Sequence, residues 1–169
     1  MGEGGFMKAL LVVDIQNGLV ERTLFEKERF LATVEAAIRE VRSRGHLIVG
    51  IQHTSSQLIE NTIPWMLYDG LDIRKTDPCL KKNHGNAFQE TNLKEVLLRH
   101  GINEIMVCGL VSHGCVRATC LGGREEGFST SLLKDGHSCW NSDAAEKMDR
   151  MERALEAKGI PVRTVDEVF

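Results

Sequence analysis

Between Lys8 and Asp14 the run Ala-Leu-Leu-Val-Val is apolar without a break. A strand with one wet face would alternate polar and apolar side chains, so a run like this suits a strand buried on both faces of a parallel sheet. Further strands are predicted at about 46–52, 104–109 and 128–133, with 160–165 as a final edge strand. Helix patterns separate them. Phe30, Val34, Ile38 and Val41 recur at helical spacing and Gly45 follows as a stop signal. A helix is predicted near 92–100 and another from Cys115 to about Glu126. The last helix carries Ala144, Met148, Met151 and Leu155 on one face, a core stripe. Strands alternating with helices predict an α/β fold around a mainly parallel sheet. Residues 53–81, with Pro64, Trp65 and Pro78, show no regular pattern. A stretch that long inside a compact domain is functional or contains elements that periodicity does not reveal.

A chain of 169 residues, 42% of them hydrophobic, can bury one core. Residues 7–169 are expected to form a single domain, with 1–6 a flexible lead or expression remnant that lacks the apolar core of a signal peptide. A net charge of −3 leaves no basic footprint for nucleic acid, and no polybasic run or membrane-length apolar stretch points to a membrane. Cys79, Cys108, Cys115, Cys120 and Cys139 are an odd, scattered set. They suit neither a disulfide framework nor a zinc site, and fit a reducing, cytoplasmic setting.

Chemistry concentrates in three places. In Val107-Cys108-Gly109-Leu110-Val111-Ser112-His113-Gly114-Cys115-Val116, a buried strand ends in a glycine-containing bend and a cysteine stands where a helix begins. Unpaired N–H groups and the helix dipole favour an anion there, so the thiol is expected to ionise easily. The alternative is a small buried hydrophobe. Asp14 closes the first strand, at the sheet edge where open α/β folds place ligands; the alternative is a turn aspartate. Lys81-Lys82-Asn83-His84-Gly85-Asn86-Ala87-Phe88 is basic and precedes a helix, and read alone it is a solvated loop.

Taken in order, these segments resemble the isochorismatase-like cysteine hydrolase family. The matching elements are Asp14-Ile15-Gln16, Lys82 ahead of Asn86-Ala87-Phe88 and Thr91-Asn92-Leu93, Gly109 through Cys115-Val116, and Leu132-Leu133-Lys134-Asp135-Gly136-His137-Ser138. The likeness runs from about Met7 to Val165. It implies a three-layer α/β/α, Rossmann-like architecture and an Asp14–Lys82–Cys115 catalytic triad. It also implies a cis peptide at Leu110–Val111, and an oxyanion hole built from the backbone N–H groups of Val111 and Cys115. The nucleophilic cysteine favours hydrolysis of a C–N bond in a small amide, ureide or carbamoyl compound over cleavage of the isochorismate vinyl ether.

Nicotinamidase members of that family carry an Asp-x-His metal element after the second strand. Here Ile51-Gln52-His53-Thr54 offers one histidine and no matching aspartate, so no metal or other cofactor is expected, and His53 reads as a surface or core histidine. Gln16, Trp65, His84, Asn86, His113 and Trp140 are candidates for the pocket wall. A small-molecule substrate and a homo-oligomer, dimer or tetramer, are the expected partners, with Trp65 a candidate for the interface. Three rivals stand beside this reading. Gly109 to Gly114 has the glycine spacing of a P-loop, but Cys115-Val116 replaces the required Lys-Ser/Thr. A non-catalytic binding or assembly subunit would share the fold. A redox sensor would use the same thiol, yet Cys120 is poorly placed to resolve it.

Overall fold

In this computed structural model the described residues are 7–169; the expected lead at 1–6 lies outside them. Six strands form one parallel sheet: β1 (Lys8–Val13), β2 (Leu47–His53), β3 (Cys79–Lys82), β4 (Glu104–Leu110), β5 (Ser129–Ser138) and β6 (Val162–Arg163). Their order across the sheet is β3-β2-β1-β4-β5-β6. The helices are α1 (Asn17–Val20), α2 (Lys27–Ser43), α3 (Leu93–Arg99), α4 (Arg117–Glu125), α5 (Ala144–Ala157) and α6 (Val165–Val168).

Strand β1 shows why its sequence carries no alternation. Ala9, Leu11 and Val13 face a core completed by Leu93 and Leu97 of α3, Cys120 of α4, and Met151 and Leu155 of α5. Leu10 and Val12 face the other way, against Phe30, Val34, Ile38 and Val41 of α2 and Val168 of α6. Both faces of the strand are dry, giving the three-layer α/β/α architecture. Helix α2 buries the face that its spacing marks out, and Gly45 follows it at φ 77°, a left-handed position that suits glycine.

Several elements differ from the sequence reading, the short helices α1 and α6 among them. Strand β3 begins inside the stretch read as irregular and ends one residue beyond it, and Ile63–Trp65 adds a short 3₁₀ turn. Being a four-residue edge strand that alternates exposed and buried, with two lysines, β3 has no apolar run to reveal it. The final strand is two residues long rather than six. Proline 161 precedes it, and Thr164 and Glu167 form a reciprocal capping box that starts α6 at once. Strand β5 runs on to Ser138 because it bulges: Val107 pairs with Leu132, but Gly109 pairs with His137, so two steps along β4 span five along β5.

The sequence visits β1, β2 and β3 in one direction and then returns to place β4 on the other side of β1. The crevice beyond the carboxyl ends of β1 and β4 is therefore the topological switch point, where ligands of such sheets bind.

Candidate active site

Four strand ends converge at that crevice. Asp14 follows β1 and turns out of it at φ 53°, its N–H donating to the Ile51 carbonyl at 2.9 Å. His53 ends β2 and Lys82 ends β3. After β4 the Leu110–Val111 peptide is cis and residues 112–116 form a kinked turn, with Gly114 at φ −109°, ψ −113°. Cys115 sits at the end of this turn, just ahead of α4. The Val111 carbonyl accepts from the N–H groups of Gly114 and Val116 at 3.0 and 3.3 Å, which closes the turn.

Gly109 lets the crevice form. At φ +130° it lies so close to β1 that a Cβ would stand 2.0 Å from the Val13 carbonyl oxygen. Only glycine fits there.

Lys82 joins the groups. Its Nζ lies 2.9 Å from Asp14 Oδ2, 2.9 Å from His53 Nδ1, 3.1 Å from the His84 carbonyl oxygen and 3.2 Å from Cys115 Sγ. Asp14 and Lys82 are each 1% exposed, so this pair is desolvated. Asp14 Oδ1 is buried and makes no hydrogen bond. Burial pushes the Asp14 carboxyl above its ordinary range, and the Lys82 charge opposes the rise. Burial and then the Asp14 charge push the Cys115 thiol up to about 11, again against Lys82. His53 is pushed down by burial and by Lys82, so it is neutral and can accept from the ammonium.

The thiol therefore departs from the sequence expectation of easy ionisation. α4 starts only at Arg117, beyond the kink, and burial is the largest influence on the thiol. Burial thus favours the protonated thiol, and the buried Asp14 carboxyl lies beside it.

His53 also departs from the surface or core role expected for it: it borders the cavity and touches Lys82. The signal available was its place at the end of a strand next to β1. Ligand atoms of Asp14, His53 and Cys115 lie within 4.8 Å of one another, close enough to suggest a metal. The donor set does not fit one. One acceptor from each of the three already faces the Lys82 ammonium at 2.9–3.2 Å, so a second cation there would meet the first.

The cavity above these groups is about 510 Å³ and is bordered by Asp14, His53, Val111, Cys115, Leu19, Leu58 and Trp140 among others. Arg22 lies over the Trp140 ring, 4.5 Å from its centre. A larger surface depression, about 640 Å³ between α2, β5 and α6, holds none of these groups.

Of the six pocket-wall candidates, Trp140 borders the cavity and the other five are occupied elsewhere. Gln16 is fully buried, and its amide bonds the His53 carbonyl, the His53 N–H and the Trp65 carbonyl at 2.8–3.0 Å. Trp65 is buried with its Nε1 donating to Thr54 Oγ1, which also removes it as an interface residue. His84 pairs its ring with Glu90 at 2.8 Å and gives Lys82 only its carbonyl. Asn86 caps the Phe88 N–H and packs on Gly122, where a Cβ would come within 2.2 Å of its Oδ1. His113 points to a different groove, with Arg117 and Met151.

The family model described as Isochorismatase domain matches residues 8–167. This chain belongs to the isochorismatase family. Streptothricin hydrolase of Streptomyces noursei is 27% identical over 168 residues, which is 96% of this chain. The chain spans 61% of that relative's length. Among solved structures, a cysteine hydrolase from Pseudomonas syringae pv. phaseolicola superposes with a TM-score of 0.89 at 18% identity, over 96% of this chain and 91% of that one. The pyrazinamidase of Pyrococcus horikoshii, solved in complex with zinc, gives a TM-score of 0.81 at 22% identity, over 93% of this chain and 98% of that one. At such identities the two structures share the isochorismatase-like fold.

Proposed function

We propose that this isochorismatase-family protein is a cysteine-dependent hydrolase of a C–N bond in a small amide, ureide or carbamoyl compound. The observation that carries the reading is the Lys82 ammonium held between the Asp14 carboxylate and the Cys115 thiol, both of which border a cavity of about 510 Å³. The similarity to a named hydrolase over 96% of this chain supports it.

Asp14 takes the thiol proton as Cys115 Sγ attacks the substrate carbonyl carbon. The carbonyl oxygen becomes an oxyanion, met by the backbone N–H groups of Val111 and Cys115. Asp14 then passes its proton to the leaving nitrogen, the C–N bond breaks, and ammonia or an amine departs from a thioester. Water attacks the thioester carbonyl while Asp14 accepts its proton. The C–S bond breaks, the carboxylic product leaves, and the proton returns to sulfur. Lys82 stays protonated throughout and offsets the single negative charge as it moves between carboxylate and sulfur. His53, neutral and accepting from Lys82, fixes the direction of that ammonium.

A panel of small amides, ureides and carbamoyl compounds, nicotinamide included, tests the reading through ammonia release by wild type and Cys115→Ala, with and without a chelator. Release that needs Cys115 and ignores the chelator is expected. Release abolished by the chelator would restore a metal to the Asp14–His53–Cys115 cluster. Silence across the panel would favour a binding or assembly subunit of the same fold.

A further inference from the structure

Beneath the nucleophile turn lies a chain of three side chains that the proposed reaction leaves unused. Ser112 Oγ is 2.7 Å from His137 Nδ1, and His137 Nε2 is 2.7 Å from Glu152 Oε1. They come from three elements: the kinked turn after β4, the bulged end of β5, and α5. Ser112 and His137 are fully buried, and Glu152 is half-buried. A carboxylate only accepts, so the network assigns the ring proton to Nε2; Nδ1 then accepts from the Ser112 hydroxyl. Every donor in the chain has an acceptor.

The order serine, histidine, carboxylate is that of a hydrolase triad. Ser112 nevertheless is closed off and does not border the cavity that holds Cys115, so it meets no substrate. Its place in the sequence is more telling. It follows the cis Leu110–Val111 bond and precedes Cys115 by three residues, within a turn that lacks regular helical dihedrals at Gly114. The β5 bulge delivers the partner. Continuing the pairing of Val107 with Leu132 would set Lys134 opposite Gly109; the bulge sets His137 there instead.

We propose that the Ser112–His137–Glu152 chain is a positioning device for the nucleophile turn. It ties residues 111–115 to β5 and α5, so that Cys115 Sγ and the N–H groups of Val111 and Cys115 stay aimed at one point. The inference rests on the acyl-transfer reading above. Such donors work only when held to within about 0.5 Å, and a short turn kinked at Gly114, closed on the single Val111 carbonyl, does not hold itself so closely. A buried and fully paired polar chain is stiff, because slipping any link leaves an unpaired group in a low-dielectric interior.

The test uses Ser112→Ala, Glu152→Ala and Glu152→Gln in the full chain, at a temperature where circular dichroism shows each folded. Two readouts are followed: hydrolysis of p-nitrophenyl acetate, and alkylation of Cys115 by iodoacetamide measured on its own peptide by mass spectrometry. Ser112→Ala and Glu152→Ala are expected to lower kcat about ten- to a hundredfold with KM nearly unchanged, the range for a small misplacement of reacting groups. Alkylation slows in the same variants, because Sγ strays from the Lys82 ammonium, the neighbour that favours the thiolate. Glu152→Gln keeps an acceptor for Nε2–H and recovers most of both rates. Since Glu152 is half-buried, its two variants decide the matter even where Ser112→Ala fails to fold. Wild-type kcat and alkylation rates in folded Ser112→Ala or Glu152→Ala, with only a lower Tm, would overturn the proposal. A wild type inert towards p-nitrophenyl acetate would count against the acyl-transfer reading instead. The alkylation rates alone would then judge the chain, equal rates overturning it.

Discussion

The Lys82 ammonium has three protons to give and four acceptors within 3.2 Å, so its neighbours compete for it and each is held by it. Burial sets the charge states of the site first, and the Lys82 charge then adjusts them. Because the Asp14 charge raises the Cys115 thiol, Asp14→Asn is expected to move the midpoint of Cys115 alkylation below about 11, while amide turnover is lost with the base. Easier alkylation with no catalysis would separate the two roles of the carboxylate; an unmoved midpoint would deny their coupling. Asp14 must be ionised to act as base and burial raises its pKa, so kcat/KM is expected to fall on the acid side at a pH above 3.8. Lys82→Met leaves a buried carboxylate without a counterion, and a loss of about 3–5 kcal/mol in denaturant unfolding is expected. Strand-end placement pointed to Asp14 and Cys115, the family resemblance alone pointed to Lys82, and the three side chains come together. His53 was not legible, since a lone histidine carries no spacing signal. Gln16 and Asn86 sit close to the site in sequence, yet their side chains turn into the scaffold, and side-chain direction follows from packing that local sequence does not encode.

At the level of elements, the join between β4 and the nucleophile turn depends on a glycine that lets two backbones touch. Gly109→Ala would force a Cβ onto the Val13 carbonyl at positive φ, and a loss of more than about 3 kcal/mol is expected, or failure to fold. Gly101 also has a positive φ, 71°, but nothing lies within 4 Å of where its Cβ would be. Gly101→Ala is expected to cost about 1–2 kcal/mol, so thermal melts of the pair separate the close approach from left-handed strain alone. Elements with an uninterrupted period were legible: the double-faced run of β1 and the heptad-like stripe of α2 leave one reading each. Strand β3 hid behind its lysines, and the β5 bulge left no trace because its register is set by the neighbouring strand rather than by its own residues. The resemblance, not any local pattern, pointed to the cis bond at Leu110–Val111.

Over the whole molecule, the site is a meeting of strand ends on both sides of the switch point, with Cys115 beyond β4, Asp14 just beyond β1, and His53 and Lys82 as the last residues of β2 and β3. No segment of the chain holds it alone. The strands that supply it are unequal. β1, β2 and β4 are central and dry, whereas β3 is four residues at the sheet margin, hydrogen-bonded to β2 on one side only. Local opening begins where few contacts resist it, and in this sheet that margin carries the cation of the site. Rising urea is therefore expected to abolish turnover at concentrations where circular dichroism and core fluorescence still report a native protein, and coincident midpoints would contradict this. Fraying four residues is enough to disarm the thiol while the fold survives, which makes the outermost strand a safety catch.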